Sequence, residues 1–315
     1  MKNEVSVAVC SRTFSRNRVL RQELLLEFPN AHFNDDGLSL SGETLIEFLS
    51  GHERAIVALE VVNSTVLDQL PELKVISKYG VGLDMIDLEA LKIRGVRLGW
   101  MGGVNRRSVA ELVIGFAITM LRHIPSVNRD LLAGKWAQRV GGCLTGRTIG
   151  VIGCGHVGKD LVRLLQPFDC EILAHDIRDY SDFYSANQVE AVDLEILLKR
   201  SDVVTLHVPL DPSTRGILTG KRLALMKPGS ILINTARGGL VDEGALKKLL
   251  QEDRIAAAAF DVFFVEPPED PELLALPNFL STPHIGGSSE EGILAMGRAA
   301  IMGLTNNEIP SSDFG

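Results

Sequence analysis

The sequence predicts an α/β fold in which parallel sheets carry helices on both faces. Short apolar runs rich in β-branched residues alternate with segments of helical period along most of the chain, as in parallel strands joined by crossover helices. One of the junctions, after the run Thr148–Ile152, is a glycine turn between a strand and a helix. A length of 315 residues is sufficient for two domains.

The composition restricts the class of protein. Apolar residues make up 45% and charged residues 23%, as in ordinary globular proteins, and the net charge of -8 argues against a general nucleic-acid partner. No apolar run reaches the length of a membrane span, and the acidic, strand-like N-terminus is unlike a signal peptide. The four cysteines are scattered without a C-x-x-C pair, so we expect no metal site, no disulfide framework and a cytoplasmic location.

The first hundred residues alternate between the two kinds of element. Strands are predicted at 5–9, 55–59, 73–77 and 96–98, and helices at 19–28, 41–49 (with Ser41 as N-cap), 64–70 and up to 94. A glycine turn, 79–82, follows the third strand. Its backbone N–H groups could hold an anion such as a carboxylate, or it could be only a tight loop.

A nearly continuous apolar helix is predicted over 105–132, with a break at Pro125. Asn105 or Ser108 could cap it, and Glu111 completes a capping-box pattern with Ser108. Because apolar residues surround this helix, we expect it to be buried, either as plain core or at a crossing or dimer contact. Six strands are predicted from Thr148 onward, and a last helix over 290–304 is expected to pack on the first domain.

The stretch 148–176 reads as strand, glycine turn, helix, strand. Gly153, Gly155 and Gly158 have the G-x-G-x-x-G spacing, which allows a tight turn, a close approach of a pyrophosphate to the backbone and close packing of helix on strand. Asp176 ends the second strand, roughly 20 residues on, where an acid can accept hydrogen bonds from the ribose hydroxyls. An acid there would repel a 2′-phosphate, so the pattern favours NAD over NADP. The alternative is a glycine-rich turn in another βαβ unit.

Ligands of open parallel sheets bind beyond the carboxyl ends of the strands. Polar or loop residues at those ends are therefore candidates for a site: Asp176, His207, Pro209, Thr235, Ala236, Arg237, Asp261, Glu266 and His284.

Three of these candidates form a chemically coherent set. The Arg237 guanidinium can clamp a carboxylate with two parallel hydrogen bonds. His284 can move a proton at neutral pH, and a carboxylate such as Glu266 can fix its tautomer. With NAD as the hydride carrier, they would interconvert a 2-hydroxy acid and a 2-oxo acid. Taken singly, each residue could equally be a loop or structural residue.

The chain resembles the D-isomer-specific 2-hydroxyacid dehydrogenase family, the group of phosphoglycerate, glycerate and D-lactate dehydrogenases. The resemblance covers nearly the whole chain. The matching motifs are GCGHVG, SDVVTLHVPLDPSTRGIL, MKPGSILINTARGGLVDEGAL, AAFDVFFVEPP and TPHIGG, with KYGVGLDMID and VNRRSVAEL in the first domain and crossover.

The resemblance implies a Rossmann NAD-binding domain, residues 101–286, inserted in a flavodoxin-like substrate domain, residues 1–100 and 287–315, with the two closing over the substrate. It implies that Arg237, Glu266 and His284 are catalytic, and that members form homodimers through the nucleotide domain. The cofactor contacts it implies are Gly153, Gly155, His156, Val157, Gly158, Asp176, His207, Val208, Pro209, Thr214, Thr235, Ala236, Asp261 (on the nicotinamide carboxamide) and Gly286. The substrate contacts are Lys78, Tyr79, Val81 and Gly82, together with Arg237 and His284.

Departures from the family pattern bear on the substrate. The length leaves no room for a regulatory domain, so amino-acid feedback is not expected. Glu60 stands near the position where phosphoglycerate enzymes place an arginine for the substrate phosphate, and it would repel that group. Lys78, Arg106 or Arg107 could replace the arginine, which leaves phosphoglycerate-type and glyoxylate/hydroxypyruvate-type substrates both open. Glu266, where a formate dehydrogenase would carry glutamine, favours hydroxy-acid chemistry.

Two alternatives stay open at this point. The fold could serve as an NADH-sensing corepressor-like binding protein, although the sequence lacks the Pro/Ser-rich tail that such adaptors carry. The enzyme could also act on phosphite or another small anion, a reading that Lys78 beside the Gly80 turn keeps open.

Overall fold

The computed structural model describes residues 5–311. It divides into two compact units. One comprises the residues up to Asn105 together with those from Gly287 onward, and the other is Arg106–Gly286. The boundary near residue 100 expected from the sequence lies a few residues before the observed one.

The first unit is built on a five-stranded parallel sheet with the order β2-β1-β3-β4-β5. This order is that of flavodoxin-like folds, as predicted. The strands are β1 (Val7–Val9), β2 (Ala31–Phe33), β3 (Arg54–Val57), β4 (Val75–Lys78) and β5 (Arg97–Gly99), and the helices are α1 (Arg12–Arg16), α2 (Arg18–Glu27), α3 (Gly42–Leu49), α4 (Ser64–Asp68), α5 (Leu88–Arg94) and α14 (Glu290–Gly303).

The last helix, α14, packs on the first unit, as predicted. It lies against α2 and against strands β4 and β5. The hydroxyl of Ser77 in β4 donates to the carbonyl of Ala300 in α14 at 2.6 Å. Ala300, Ile301 and Leu304 share a buried cluster with residues of β1 and α2. The C-terminal helix is therefore part of the core of this unit.

The second unit contains a seven-stranded parallel sheet with the order β12-β11-β10-β9-β6-β7-β8. The strands are β6 (Thr148–Ile152), β7 (Glu171–His175), β8 (Val189–Ala191), β9 (Val203–Leu206), β10 (Ile231–Asn234), β11 (Ala257–Phe260) and β12 (Phe279–Ser281). The helices are α6 (Arg106–Leu121), α7 (Ile124–Leu132), α8 (His156–Leu165), α9 (Ser181–Ala186), α10 (Leu194–Arg200), α11 (Gly220–Leu223), α12 (Glu243–Gln251) and α13 (Pro271–Ala275).

The strand order of the second unit is that of a doubly wound dinucleotide-binding sheet. One buried cluster packs α6 and α8 on one face, and a second packs α10, α11 and α12 on the other. The order reverses between β6 and β9, which places a crevice at their carboxyl ends. The predicted count of six strands is wrong by one, because β8 is a three-residue edge strand with two exposed residues.

The predicted long helix consists of two. It ends at Leu121, His123 takes a left-handed conformation (φ 55°), and α7 begins at Ile124 with Pro125 in its first turn. Among the residues described, no single helix is long and apolar enough to cross a membrane; α6 and α7 together satisfy length and composition but are bent by 59°.

The capping box predicted at Ser108 is wrong. Helix α6 begins at Arg106, so Ser108 lies within its first turn. Its hydroxyl donates instead to the carbonyl of Gly286 at 2.7 Å.

Candidate active site

The glycine turn after β6 packs closely against its neighbours. Gly153 has φ +93°, and a Cβ there would lie 2.7 Å from the carbonyl of His207. A Cβ on Gly158 would lie 2.3 Å from the Gly153 oxygen, so α8 packs directly on the turn. Gly155 precedes α8, and a Cβ there would meet nothing within 4 Å. His156 and Val157 open the helix, whose N-terminal N–H groups suit an anion.

The Asp176 carboxylate is fixed beside this turn by backbone donors. One oxygen accepts from the N–H of Cys154 at 2.6 Å and the other from the N–H of Arg178 at 2.8 Å. These bonds fix the direction of the carboxylate at the carboxyl end of β7, and its predicted contact with a cofactor ribose stays a prediction. Burial, reinforced by the neighbouring Asp176, raises the pKa of the Cys154 thiol to about 11, so the thiol stays protonated and adds no charge of its own to the crevice.

The loop after β9 is held rigidly on the other side of the crevice. The N–H of His207 donates to the Ile152 carbonyl at 2.7 Å, and its Nε2 lies 3.0 Å from the hydroxyl of Thr205. Burial lowers the pKa of His207 to about 3, so its imidazole is neutral. The Thr214 hydroxyl donates to the Pro209 carbonyl at 2.6 Å, which closes the loop around Val208 and Pro209.

Strand β10 ends in a turn that presents Arg237. The Asn234 side chain accepts from the N–H of Ala236 at 3.1 Å and donates to the carbonyl of Arg237 at 2.9 Å. The Arg237 guanidinium donates to the Ala236 carbonyl at 2.6 Å. The hydroxyl of Thr235 is buried and has no hydrogen-bond partner among residues 5–311. An orphaned buried hydroxyl at this edge is what a site for a polar cofactor group would contain.

Glu266 and His284 meet after the next two strands. Nδ1 of His284 lies 2.8 Å from one Glu266 carboxylate oxygen, and the other oxygen accepts from the N–H of Phe263 at 3.1 Å. The side chains are 44% and 39% exposed, so the pair is open to a ligand. The carboxylate favours a proton on Nδ1, so Nε2 of the neutral imidazole is the ring nitrogen that could accept a proton.

Asp261 holds the loop that carries His284. Its carboxylate is 1% exposed and accepts from the Thr282 hydroxyl and from the N–H groups of Ile285 and Gly286. Gly286 is in turn bonded by Ser108. The predicted contact of Asp261 with a cofactor carboxamide stays a prediction, and the structure adds this anchoring contact to its own loop.

The first unit contains the other candidate residues at the carboxyl edge of its sheet. Lys78 is buried, and its ammonium donates to the Ala58 carbonyl. The Glu60 carboxylate accepts from the N–H of Ala58 at 2.5 Å. Burial raises the pKa of Tyr79 to about 12, and its hydroxyl has no partner within the described chain. The Trp100 indole donates to the Val81 carbonyl at 3.0 Å.

The turn that follows Tyr79 has the chemistry of an anion site. No hydrogen bond from the N–H of Val81 or Gly82 to another backbone group is present in the part of the chain that the structure describes. Two adjacent N–H groups at a strand end can together hold a carboxylate.

Several residues that build the edge were not predicted. Asn234 shapes the Arg237 turn, Thr282 and Ser108 anchor the His284 loop, and Cys154 supplies the N–H that fixes Asp176. Asn234 ends β10 and Thr282 follows β12, so a polar residue at the carboxyl end of a strand is the sequence signal that marks both. Within residues 5–311, no cluster of three or more His, Cys, Asp or Glu could hold a metal ion.

Comparison with known proteins agrees with the observed fold. Residues 114–286 match the family model for the D-isomer specific 2-hydroxyacid dehydrogenase NAD binding domain. The second unit is thus an NAD-binding domain. Among solved structures, the TT0316 protein from Thermus thermophilus has a TM-score of 0.82 and 31% identity, with 96% of this chain and 95% of that chain covered. A glyoxylate reductase from Paecilomyes thermophila has a TM-score of 0.84 and 25% identity, over 96% and 94%.

Two relatives show how far the likeness extends. D-3-phosphoglycerate dehydrogenase of Methanocaldococcus jannaschii is 40% identical over 262 residues, 82% of this chain and 50% of that protein. Hydroxypyruvate reductase of Thermotoga maritima is 40% identical over 236 residues, 73% of this chain and 76% of that protein. The chain spans about half the length of the phosphoglycerate dehydrogenases it matches and about three quarters of the reductase. The chain belongs to the D-isomer specific 2-hydroxyacid dehydrogenase family.

Proposed function

We propose that the protein is an NAD-dependent oxidoreductase that interconverts a D-2-hydroxy acid and its 2-oxo acid. The observation that carries this proposal is the 2.8 Å contact between His284 and Glu266 at the carboxyl edge of the NAD-binding sheet. Arg237 follows β10, the neighbour of β11 in the same sheet. A proton donor and a carboxylate-binding cation thus follow strands of one NAD-binding domain.

Each residue has a task in the reductive direction. The Arg237 guanidinium binds the substrate carboxylate and polarises the 2-oxo group. Nε2 of His284 donates a proton to the carbonyl oxygen as it becomes a hydroxyl, and Glu266 stabilises the imidazolium before the transfer. NAD, when bound, supplies the hydride in its reduced form. In the oxidative direction Nε2 takes the hydroxyl proton back.

We assign the cofactor to the crevice between β6 and β9. Gly153, Gly155 and Gly158 would admit the pyrophosphate at the start of α8, and Asp176 would accept the ribose hydroxyls. The buried, unpaired Thr235 hydroxyl would serve the nicotinamide end. The fixed negative charge of Asp176 supports NAD over NADP.

We assign the substrate to small unphosphorylated 2-oxo acids of the glyoxylate and hydroxypyruvate type. Two observations support this choice over a phosphorylated acid. The Lys78 ammonium is buried and bonded to a carbonyl, so it is poorly placed to neutralise a phosphate. The Glu60 carboxylate accepts from the N–H of Ala58, the residue whose carbonyl binds Lys78, and its charge would repel a phosphate. The N–H groups of Val81 and Gly82 would help to hold the substrate carboxylate.

We also propose that the protein is a homodimer in the cytoplasm. Helix α7 and the segment after it expose large apolar side chains, among them Leu132, Trp136 (84% exposed) and Val140 (97% exposed). Such an exposed apolar patch marks an interaction surface, and a second copy fits the homodimers that the family resemblance implies. All four cysteines are free thiols, which fits a reducing compartment. A Trp136→Ser variant that elutes at the same mass as wild type in light scattering would refute this interface.

The test of the activity is NADH oxidation by the purified protein with glyoxylate, hydroxypyruvate, phosphohydroxypyruvate, pyruvate and 2-oxoglutarate. We expect the highest kcat/KM with glyoxylate or hydroxypyruvate. A preference for phosphohydroxypyruvate would contradict the substrate class but keep the reaction. Absence of turnover with all five acids, together with NADH-dependent capture of a protein partner, would favour the corepressor-like alternative.

A further inference from the structure

His284 occupies a strained backbone conformation. Its φ is +54°, in the left-handed region that residues other than glycine seldom adopt. The conformation is held by its N–H, which lies 2.9 Å from the Asp261 carbonyl and 3.1 Å from the Thr282 carbonyl. The surrounding structure therefore determines the direction of the imidazole, because an unsupported loop would relax out of this region.

The support is concentrated on one buried carboxylate. One oxygen of Asp261 accepts from the Thr282 hydroxyl at 2.5 Å and from the N–H of Ile285 at 2.7 Å. The other oxygen accepts from the N–H of Gly286 at 2.7 Å. These donors lie on both sides of His284 in the sequence, so Asp261 clamps the loop around it. Thr282 supplies the only side-chain donor of the three.

The contact of Thr282 with Asp261 is charge-assisted and shielded. Asp261 is 1% exposed, so its charge depends on these donors in place of water. Replacing the Thr282 hydroxyl by a methyl group would leave the first carboxylate oxygen with the N–H of Ile285 as its remaining donor of these two. The hydrogen bond from the Thr282 N–H to the Phe260 carbonyl at 3.0 Å would remain.

We infer that Thr282 is a positioning residue for the proposed reaction: its hydroxyl, through Asp261, holds His284 in the left-handed conformation that aims Nε2 at the substrate. Glu266 fixes the imidazole from its Nδ1 side, and Thr282 fixes the backbone that carries it. The two act on the same group, so their effects on turnover are coupled. The inference rests on the proposed function, since it assigns Thr282 a role through His284.

The test uses the isosteric variant Thr282→Val. We expect kcat for hydroxypyruvate reduction to fall about 10- to 100-fold, because small displacements of a catalytic group cost factors of this size. KM and the dissociation constant for NADH should stay near wild type, since Thr282 contacts neither ligand in this account. Thr282→Ser, which keeps the hydroxyl, should restore most of kcat. Unaltered NADH binding shows that the variant is folded.

A matched control and a double variant separate positioning from general stability. Thr148, at the amino end of β6, donates to Glu171 at 2.8 Å. Thr148→Val therefore also loses a bond from a hydroxyl to a carboxylate, but at the amino edge of the sheet, whereas His284 follows the carboxyl end of β12, so this variant should keep wild-type kcat. Thr282→Val combined with Glu266→Gln should lose clearly less than the product of the single losses.

Three results would overturn the inference: wild-type kcat in Thr282→Val, no rescue by Thr282→Ser, or fully multiplicative losses in the double variant. If the wild-type protein reduces a 2-oxo acid, these outcomes do not contradict the proposed function. Absence of turnover by the wild type with every 2-oxo acid would overturn the proposed function and this inference together.

Discussion

Replacement of Glu266 by glutamine tests the contact between Glu266 and His284 in the candidate active site. Both carboxylate oxygens accept, one from Phe263 and one from His284, whereas a glutamine has a single acceptor oxygen. If the amide oxygen faces Phe263, the NH₂ group meets Nδ1 and imposes the wrong imidazole tautomer. If the oxygen faces His284, the NH₂ group meets the N–H of Phe263. In either case the charge that stabilises the imidazolium is lost.

The magnitude follows from the geometry of the pair. Two unit charges about 4 Å apart interact by about 1 kcal/mol in water and about 4 kcal/mol at an effective dielectric constant of 20. A half-exposed pair lies between these limits, so we expect a loss of about 1–3 kcal/mol of transition-state stabilisation, or about 5- to 150-fold in rate.

The assay is kcat/KM for NADH-dependent reduction of hydroxypyruvate at neutral pH. The matched control is Glu269→Gln, the same chemical change at an acid of the same loop, which should retain wild-type kcat/KM. A Glu266→Gln enzyme as active as the Glu269→Gln control would refute the reasoning.

Three other predictions follow from the structure. Asp176→Ala should lower the ratio of kcat/KM with NADH to that with NADPH at least tenfold, because the fixed negative charge beside the 2′-position is removed; an unchanged ratio would contradict the assignment. Arg237→Lys should raise KM for the 2-oxo acid and lower kcat, since an ammonium cannot make the two-pronged contact; kinetics equal to wild type would contradict it. His207 stays neutral down to about pH 3, whereas an unfolded histidine takes a proton below about pH 6.5. His207 alone should thus lower the free energy of unfolding by about 1.4 kcal/mol per pH unit between about pH 6.5 and about pH 3. Chemical denaturation of wild type and His207→Gln at pH 6.5 and 5 should show the smaller pH dependence in the variant, and parallel curves would exclude a neutral imidazole in the folded state.

Much of the fold could be predicted from sequence because the central strands of both sheets are buried on both faces. Continuous apolar runs such as Val203–Leu206 and Ile231–Asn234 are typical of such strands, and the glycine spacing after β6 identifies the crevice. The two strands that the sequence analysis does not predict lie at the edges of the sheets. Strands β2 and β8 have three residues each with exposed positions, so they lack the hydrophobic signal of the central strands.

Position after the end of a strand predicts the candidate residues, but it does not predict the contacts between them. Position after a strand end selected Arg237, Glu266 and His284, and the pairing of Glu266 with His284 follows from neighbouring parallel strands. The anchoring of the His284 loop by Asp261 and Thr282 depends on hydrogen bonds between residues far apart in sequence, which carry no periodic signal. Ser108 shows the same limit, because its pattern suggested a helix cap whereas its hydroxyl binds Gly286.

The most direct test of the account is His284→Ala, measured both for NADH binding and for turnover. We expect a dissociation constant for NADH within about twofold of wild type and a kcat lower by about 10²–10⁴-fold, the usual contribution of a general acid. The control His32→Ala, on β2 in the first unit, should behave as wild type. Retention of wild-type kcat in His284→Ala would contradict the account.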